Sequence, residues 1–394
     1  MSVEAVTDLD LRSLDEYIQT RRDDMLADLG DYLRLETPSD DLDSLARGRD
    51  WVSGWIGGVL GSPIASRTES GGAYGDTVVL EYSGRGLGAD AAPVALLAHY
   101  DTVWPLGTIK EIPFSVTGDV IRGPGVFDMK AGLVQAVWAV RALDAVGLPR
   151  PPFRLVLNGD EELGSPASRP VIEDACREAA AVLVFEASAD GAVKTARKGV
   201  GLFDLTLTGV EAHAGLDPTA GASAVTALGE FIGHATSLAD LTTGTSVNVG
   251  VVSGGTRRNV TAGSAHAGID VRVASGIEAE RIAQELRDWS PSDTRVEVRL
   301  DGGWNRPVME RTPAIARLYE RARALARRLH VDLHETAVGG ASDGNFASAL
   351  GRPVLDGLGA VGAGAHARDE YATISGMVER SAIAAAVLSS LSSI

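Results

Sequence analysis

The sequence predicts an α/β fold: a mixed, mainly parallel sheet covered by helices, with a smaller α+β unit inserted into it. Three observations point there. Short apolar runs such as Val94–Ala98 and Ala181–Phe185 have the composition of strands buried on both faces, as parallel sheets require. These runs alternate with helix-length segments, the rhythm of βαβ units. Between about residues 196 and 308 the order becomes strand–helix–strand–strand–helix–strand, the split βαβ or ferredoxin-like pattern, and α/β features then resume. The expected division is a first domain of residues 1–195 and 309–394 and an inserted domain of residues 196–308.

Each element has its own signal. Leu11–Leu35 carries apolar residues at helical spacing, with Ser13 and Glu16 as a capping box and Thr37-Pro38-Ser39 as the stop. Leu42–Gly58 reads as a second helix, Thr77–Tyr82 as an alternating strand and Ala92–Ala98 as a nearly all-apolar one. Ala131–Val146 is a helix ended by Gly147 and the Pro149-Arg150-Pro151-Pro152 break. Phe153–Leu157 is a strand that runs into Asn158-Gly159-Asp160-Glu161-Glu162. A helix to about Ala179 follows, then the strand Ala181–Phe185, ending in Glu186. The inserted unit supplies strands Gly199–Thr208, Ser246–Val252, Ala265–Val273 and Thr294–Leu300, with helices Ala222–Ala239 and Ile277–Trp289. Helix Pro313–Leu329, strands His330–Ala337 and Pro353–Leu358, and a closing helix Ser375–Leu391 complete the chain.

Composition narrows the function. The 394 residues are long enough for a substantial core, and a net charge of −17 excludes the basic footprint that nucleic acids and anionic membranes need. With one cysteine, Cys176, no intrachain disulfide forms, and its acidic helical surroundings mark it as a packing residue. The N-terminus has neither a basic nor an apolar leader pattern, and no run approaches the ~20 apolar residues of a membrane span. The expectation is a cytoplasmic protein, in which the Asn259-Val260-Thr261 sequon is a coincidence.

The chemistry-bearing residues recur where strands end: His99 and Asp101, Asp128, Glu161 and Glu162, Glu186, and His366 in a Gly-rich loop. Ligands bind beyond the carboxyl ends of strands in open α/β sheets. A single strand-end acid is usually a cap or a solvated loop residue. A series of them with two histidines is the donor set of two divalent ions sharing a carboxylate. With no cysteine among them, the pattern is that of a catalytic site, not a structural zinc site. Asp101, two residues past His99, is spaced to orient the imidazole. Of the adjacent pair Glu161-Glu162, one ligates and the other is left as a general base.

These motifs, together with Gly123-Pro124-Gly125, Asp128-Met129-Lys130-Ala131-Gly132, Asp160-Glu161-Glu162-Leu163-Gly164-Ser165, Ala212-His213-Ala214-Gly215, Gly339-Gly340 and Ser342-Asp343, resemble the aminoacylase/carboxypeptidase family of dizinc metallopeptidases. The likeness spans essentially the whole chain and is greatest to glutamate carboxypeptidases of the folate-cleaving type. It implies a zinc-peptidase-like catalytic domain with a lid that also forms a homodimer interface. It implies two Zn²⁺ per subunit, with Co²⁺ or Mn²⁺ able to substitute. Asp128 would bridge the ions, His99 and Glu186 would complete one site, and Glu162 and His366 the other. Glu161 would be the general base, Asp101 would orient His99, and the bond after Asp128 would be cis. The lid histidine, His213, would reach the partner's site. Asn259 and Arg306 match the positions that hold the substrate carboxylate; Arg272 is either a further anchor or a strand-end salt bridge. A departure from the family is Glu211-Ala212 before His213, where many relatives have a small residue or Lys and then Ser.

The implied function is hydrolysis of an amide or peptide bond that releases a C-terminal amino acid with a free carboxylate. The alternatives are an N-acyl-amino-acid deacylase of acetylornithine deacetylase or succinyl-diaminopimelate desuccinylase type and, in another class, a non-catalytic amino-acid-binding dimeric scaffold. His330 and His334 have the i, i+4 spacing of a helical metal pair, but the alternation of Val331 and Leu333 favours a strand there. His234 and His266 read as surface or packing residues.

Overall fold

Val94–His99 is apolar up to its last residue because both faces of the strand are covered; all six residues are buried in the computed structural model, which describes residues 6–393. Part of the N-terminal reading therefore falls on residues 1–5, outside the described residues. The strand sits inside a six-stranded sheet. Its order is Ala65–Glu69, Thr77–Tyr82, Phe153–Asn158, Val94–His99, Ala181–Val184, Val354–Leu355. The last four are mutually parallel, and the first two join antiparallel at one edge. The sheet is thus mixed and mainly parallel, as the apolar runs predict.

Register aligns the strand ends. Leu96 faces Leu155 on one side and Leu183 on the other, and all three are essentially inaccessible to water. Each such side chain contributes about 1.5–3 kcal/mol. Helices Ala131–Val146 and Ile374–Ser390 are largely apolar, and most of their residues are buried.

The chain forms two units. The first takes the described residues up to Ala196, with Arg311–Val338 and the chain from Ser342 onward; the second is Arg197–Glu310 with Gly339–Ala341. The return of Gly339–Ala341 has no sequence signal; Arg197 Nη1 donates to the carbonyls of Gly340 (3.1 Å) and Ala341 (3.2 Å). The second unit is an antiparallel sheet in the order Ser246–Gly254, Ser264–Val273, Gly199–Thr208, Glu297–Arg306, with helices Ala224–Ser237 and Gly276–Asp288. This is the ferredoxin-like order. No helix among the described residues is long and apolar enough to cross a membrane.

Several local expectations need correction. The N-terminal helix is two, Asp8–Thr20 and Arg22–Leu33, separated at Arg21, where ψ rises to 6°. Its capping box is Thr7 with Asp10, one turn or more before Ser13. The strand expected over His330–Ala337 begins only at Glu335. His330 has φ +63° in the turn after the preceding helix, so the alternation of Val331 and Leu333 reflected burial of Leu333 and not a strand. A small sheet built from Ser115–Thr117, Val120–Arg122, Gly362–Ala363 and Tyr371–Thr373 was not anticipated. Cys176 is buried, which pushes its thiol up to about 12.

Candidate metal centre

Three parallel strands deliver four of the site residues. His99 closes Val94–His99 and pairs in register with Asn158, the last residue of the neighbouring strand, which leads into the turn Glu161–Leu163. Glu186 follows Ala181–Val184 on the other side. Two glycines let these pieces approach. A Cβ on Gly132 would lie 1.9 Å from the Phe185 carbonyl oxygen, so only glycine brings that helix against the strand end before Glu186. A Cβ on Gly159 would lie 2.5 Å from the Tyr100 hydroxyl, which donates to the Asp76 carbonyl at 2.7 Å.

Asp128 comes from the turn Val126–Lys130, where the backbone leaves helical geometry and the Asp128–Met129 peptide is cis. His366 comes from the loop between Gly362–Ala363 and Tyr371–Thr373 and has a left-handed backbone, φ +62°.

These side chains converge. His99 Nε2 lies 3.4 Å from Asp128 Oδ1 and 3.4 Å from Glu186 Oε1. His366 Nε2 lies 3.3 Å from Asp128 Oδ2 and 3.1 Å from Glu162 Oε2. The two oxygens of Asp128 therefore face different histidines. Ligand atoms of His99, Glu161 and Glu186 lie within 4.8 Å of one another, as do those of His99, Asp128 and Glu162.

Asp101, fully buried, ties the cluster together. Its main-chain oxygen is 3.0 Å from His99 Nδ1, and its carboxylate accepts from the N–H groups of Glu161 and Glu162 (both 3.2 Å) and from Ser39 Oγ (2.8 Å). Ser39 was missed in the sequence, where it registers only as part of a helix stop. Asp160 was missed too: its carboxylate accepts from the N–H groups of Ala167 (2.8 Å) and Ser168 (3.1 Å), which fixes the chain beyond the glutamate turn. Ser165 Oγ donates to Asp343 at 2.5 Å, joining two motifs far apart in sequence.

Electrostatics describe a cage that holds protons where cations fit. Burial pushes Asp128 up, but His366 and His99 outweigh it and hold its carboxyl well below the usual range. Asp128 and Glu162 raise His366 to about 10. Burial depresses His99, yet Asp101, Asp128 and Glu186 bring it well above its ordinary value. Burial lifts Glu162 to about 7. His99 Nε2 and Glu162 Oε1 are buried without a hydrogen-bond partner. Such atoms are costly unless satisfied, and ligation to divalent cations satisfies them. The imidazole and carboxylate donors suit zinc and its neighbours, so the residues present fit metal ions.

The other expected site residues lie in the second unit. His213 and Val260 form a β-bridge, and the Ala214 N–H donates to the Asn259 carbonyl at 3.0 Å, so His213 and Asn259 sit on adjacent segments. His213 Nδ1 accepts from the N–H groups of Gly215 and Leu216, both at 3.2 Å, which puts the proton of the neutral ring on Nε2. Arg306 is buried at the end of its strand. Arg272 makes a bidentate pair with Asp270, both bonds 2.8 Å, so its fork is already engaged. His266 lies 3.3 Å from Asp204, and His234 Nε2 is 3.0 Å from the Glu285 carbonyl.

Residues 95–390 match peptidase family M20/M25/M40. The chain belongs to that family. It is similar to carboxypeptidase G2 of Pseudomonas sp. (strain RS-16), 26% identical over 366 residues that cover 91% of this chain and 87% of the relative. It is also similar to the acetylornithine deacetylase of Myxococcus xanthus, 30% identical over 56% of this chain and 62% of that one. Among solved structures, aminopeptidase PepT from Bacillus cereus ATCC 10987 shares the fold, with a TM-score of 0.77 at 16% identity over 94% of this chain and 98% of that chain. So does the M20 family metallo-carboxypeptidase Sso-CP2 from Sulfolobus solfataricus, with a TM-score of 0.68 at 16% identity over 94% and 99%. As an M20/M25/M40 peptidase the chain is a metallohydrolase of C–N bonds, of carboxypeptidase or amidohydrolase type.

Proposed function

We propose that this family member is a dizinc hydrolase that releases a C-terminal amino acid with a free carboxylate from a short peptide or N-acyl-amino acid, as a glutamate carboxypeptidase does. The observation that carries the proposal is the opposed aim of the Asp128 oxygens, one toward His99 and one toward His366. That arrangement suits a carboxylate bridging two ions, with His99 and Glu186 completing one site and Glu162 and His366 the other.

Ions held there would supply Lewis acidity, acidifying a water molecule and polarising the scissile carbonyl. The rest of the work falls to side chains. Glu161 takes the proton from the attacking water and returns it to the leaving amine. His213, with its proton on Nε2, donates to the developing oxyanion. Asn259 and Arg306 hold the substrate carboxylate; the Arg272–Asp270 pair favours a structural part for Arg272. Asp101 fixes the His99 tautomer through Nδ1 and positions the Glu161–Glu162 turn.

We also propose a homodimer built through the second unit, in which His213 serves the partner's site. The edge strand Ser246–Gly254 supports it: Val251 and Val252 are 62% and 55% exposed, an apolar edge that a second chain would cover. A cytoplasmic setting is the proposed one.

The likeness to an acetylornithine deacetylase favours N-acyl-amino-acid deacylation as a second reading. Mass spectrometry of the amine released from N-acyl-glutamate, N-acetylornithine, N-succinyl-diaminopimelate and simple dipeptides decides between them. Fastest release of glutamate is expected. Fastest release of ornithine or diaminopimelate transfers the protein to the deacylase reading.

A further inference from the structure

Glu370 is a carboxylate almost fully buried (1% exposed) outside the cluster of candidate ligands. Its two oxygens serve different segments. Oε2 accepts from the Trp104 indole Nε1 at 3.0 Å, and Oε1 accepts from the main-chain N–H of Phe127 at 3.5 Å. The N–H of Val126 also faces it. Trp104 lies in the loop that leaves His99, Phe127 immediately precedes Asp128, and Glu370 itself stands four residues after His366. One carboxylate therefore joins the three loops that carry His99, Asp128 and His366.

We infer that Glu370 is a positioning residue for the metal centre, fixing the His366 loop against the Asp128 turn and so setting the distance between His366 and the bridging carboxylate. The inference rests on the two-metal reading proposed above.

The reason such a tie is needed is local. His99 closes one strand of the main sheet and Glu186 stands two residues past the end of another, so the sheet holds them. His366 has no such support: its side chain is 52% exposed, and its loop is flanked only by strands of two and three residues. The other ties on this loop are weaker. Arg368 pairs with Glu111 at a surface where the two side chains are 70% and 61% exposed, so the pair contributes little. Arg122 Nη1 donates to the Asp369 carbonyl at 2.8 Å, also at an exposed position. Glu370 is the buried link, and burial keeps water from competing for its acceptors.

The consequence is asymmetric. Losing Glu370 should loosen the position formed by Glu162, His366 and Asp128 and spare the one formed by His99 and Glu186. The test is a Zn²⁺ titration against a competing chelator, with Co²⁺ absorption spectra as a second readout, on the full chain and on Glu370→Ala, Glu370→Gln and Trp104→Phe. The expected result for Glu370→Ala is weakening of one metal equivalent by about 10- to 100-fold, the usual range for outer-sphere partners, with the other equivalent nearly unchanged. Glu370→Gln keeps an acceptor oxygen for N–H donors and should recover most of the loss. Trp104→Phe removes one link without removing the acid and should give a smaller shift in the same equivalent. That variant also keeps the test open if Glu370→Ala does not fold, which melting of the metal-free protein reports. Two equivalents of wild-type affinity in Glu370→Ala overturn the inference, as does parallel weakening of both in Trp104→Phe. Failure of the wild type to bind two equivalents overturns the two-metal reading itself.

Discussion

His99 Nδ1 lies closer to the main-chain oxygen of Asp101 (3.0 Å) than to its carboxylate (3.3 Å). The carbonyl is the nearer acceptor for the ring nitrogen, and the carboxylate, also beside the ring, accepts from the N–H groups of Glu161 and Glu162. Asp101→Asn keeps the carbonyl but weakens the grip on the glutamate turn. It should retain His99-side metal while lowering kcat by about 10- to 100-fold. Metal content after dialysis, measured beside kcat, checks this; loss of the His99-side metal with turnover intact would reverse the two roles.

Asp128 and His99 should differ on substitution. Asp128 faces both histidines, whereas His99 faces one set of carboxylates. His99→Ala should weaken one metal equivalent first, and Asp128→Ala should empty the pair. Elemental analysis against a buffered Zn²⁺ series separates the outcomes, and equal single-metal losses in both variants count against bridging.

Metal affinity should rise with pH. Asp128 and Glu162 hold His366 at about 10, so the metal-free site carries a proton there near neutrality, and ligation must expel it. The gain with pH continues until about 10. Below about 7, Glu162, lifted chiefly by burial, takes up a proton too, and affinity falls more steeply. For the metal-free protein the sign is opposite. A histidine raised above 6.5 adds stability that is complete below that pH and is lost as pH rises through about 10. Calorimetric titration in two buffers of different ionisation enthalpy, at about pH 6, 7 and 8, measures the protons released; none released at any pH contradicts the expectation.

His213→Ala should leave metal content unchanged and lower kcat by about 100- to 1,000-fold, the effect of removing one oxyanion donor. Mixing inactive His213→Ala chains with inactive Glu161→Gln chains then tests the dimer. Recovered activity in the mixture means that His213 serves the partner's site.

The parts of the structure that were legible in the sequence are those governed by burial. Leu96, Leu155 and Leu183 announce the sheet because strands covered on both faces must be apolar, and His99, Glu161, Glu162 and Glu186 stand out because they lie at or just past the ends of those strands. What was hidden depends on contacts between distant segments. Neither the hydrogen bond of Ser39 to Asp101 nor that of Ser165 to Asp343 has a local signature. The strands Gly362–Ala363 and Tyr371–Thr373 are too short for a period to register. The break at Arg21 has no proline or glycine to mark it, and the apolar spacing runs on through it. The sequence around Arg272 suits either of two roles, and only its side-chain geometry shows the fork closed on Asp270.

In the proposed mechanism Glu161 acts as a base beside a pair of metal ions held by its neighbours. Its most direct test is metal content and turnover of the wild type and Glu161→Gln, measured on the same preparations with an N-acyl-glutamate. Two metal ions are expected in both proteins, with a loss of about 100- to 10,000-fold in kcat for the variant. Undiminished turnover in Glu161→Gln, with both metals bound, would contradict it.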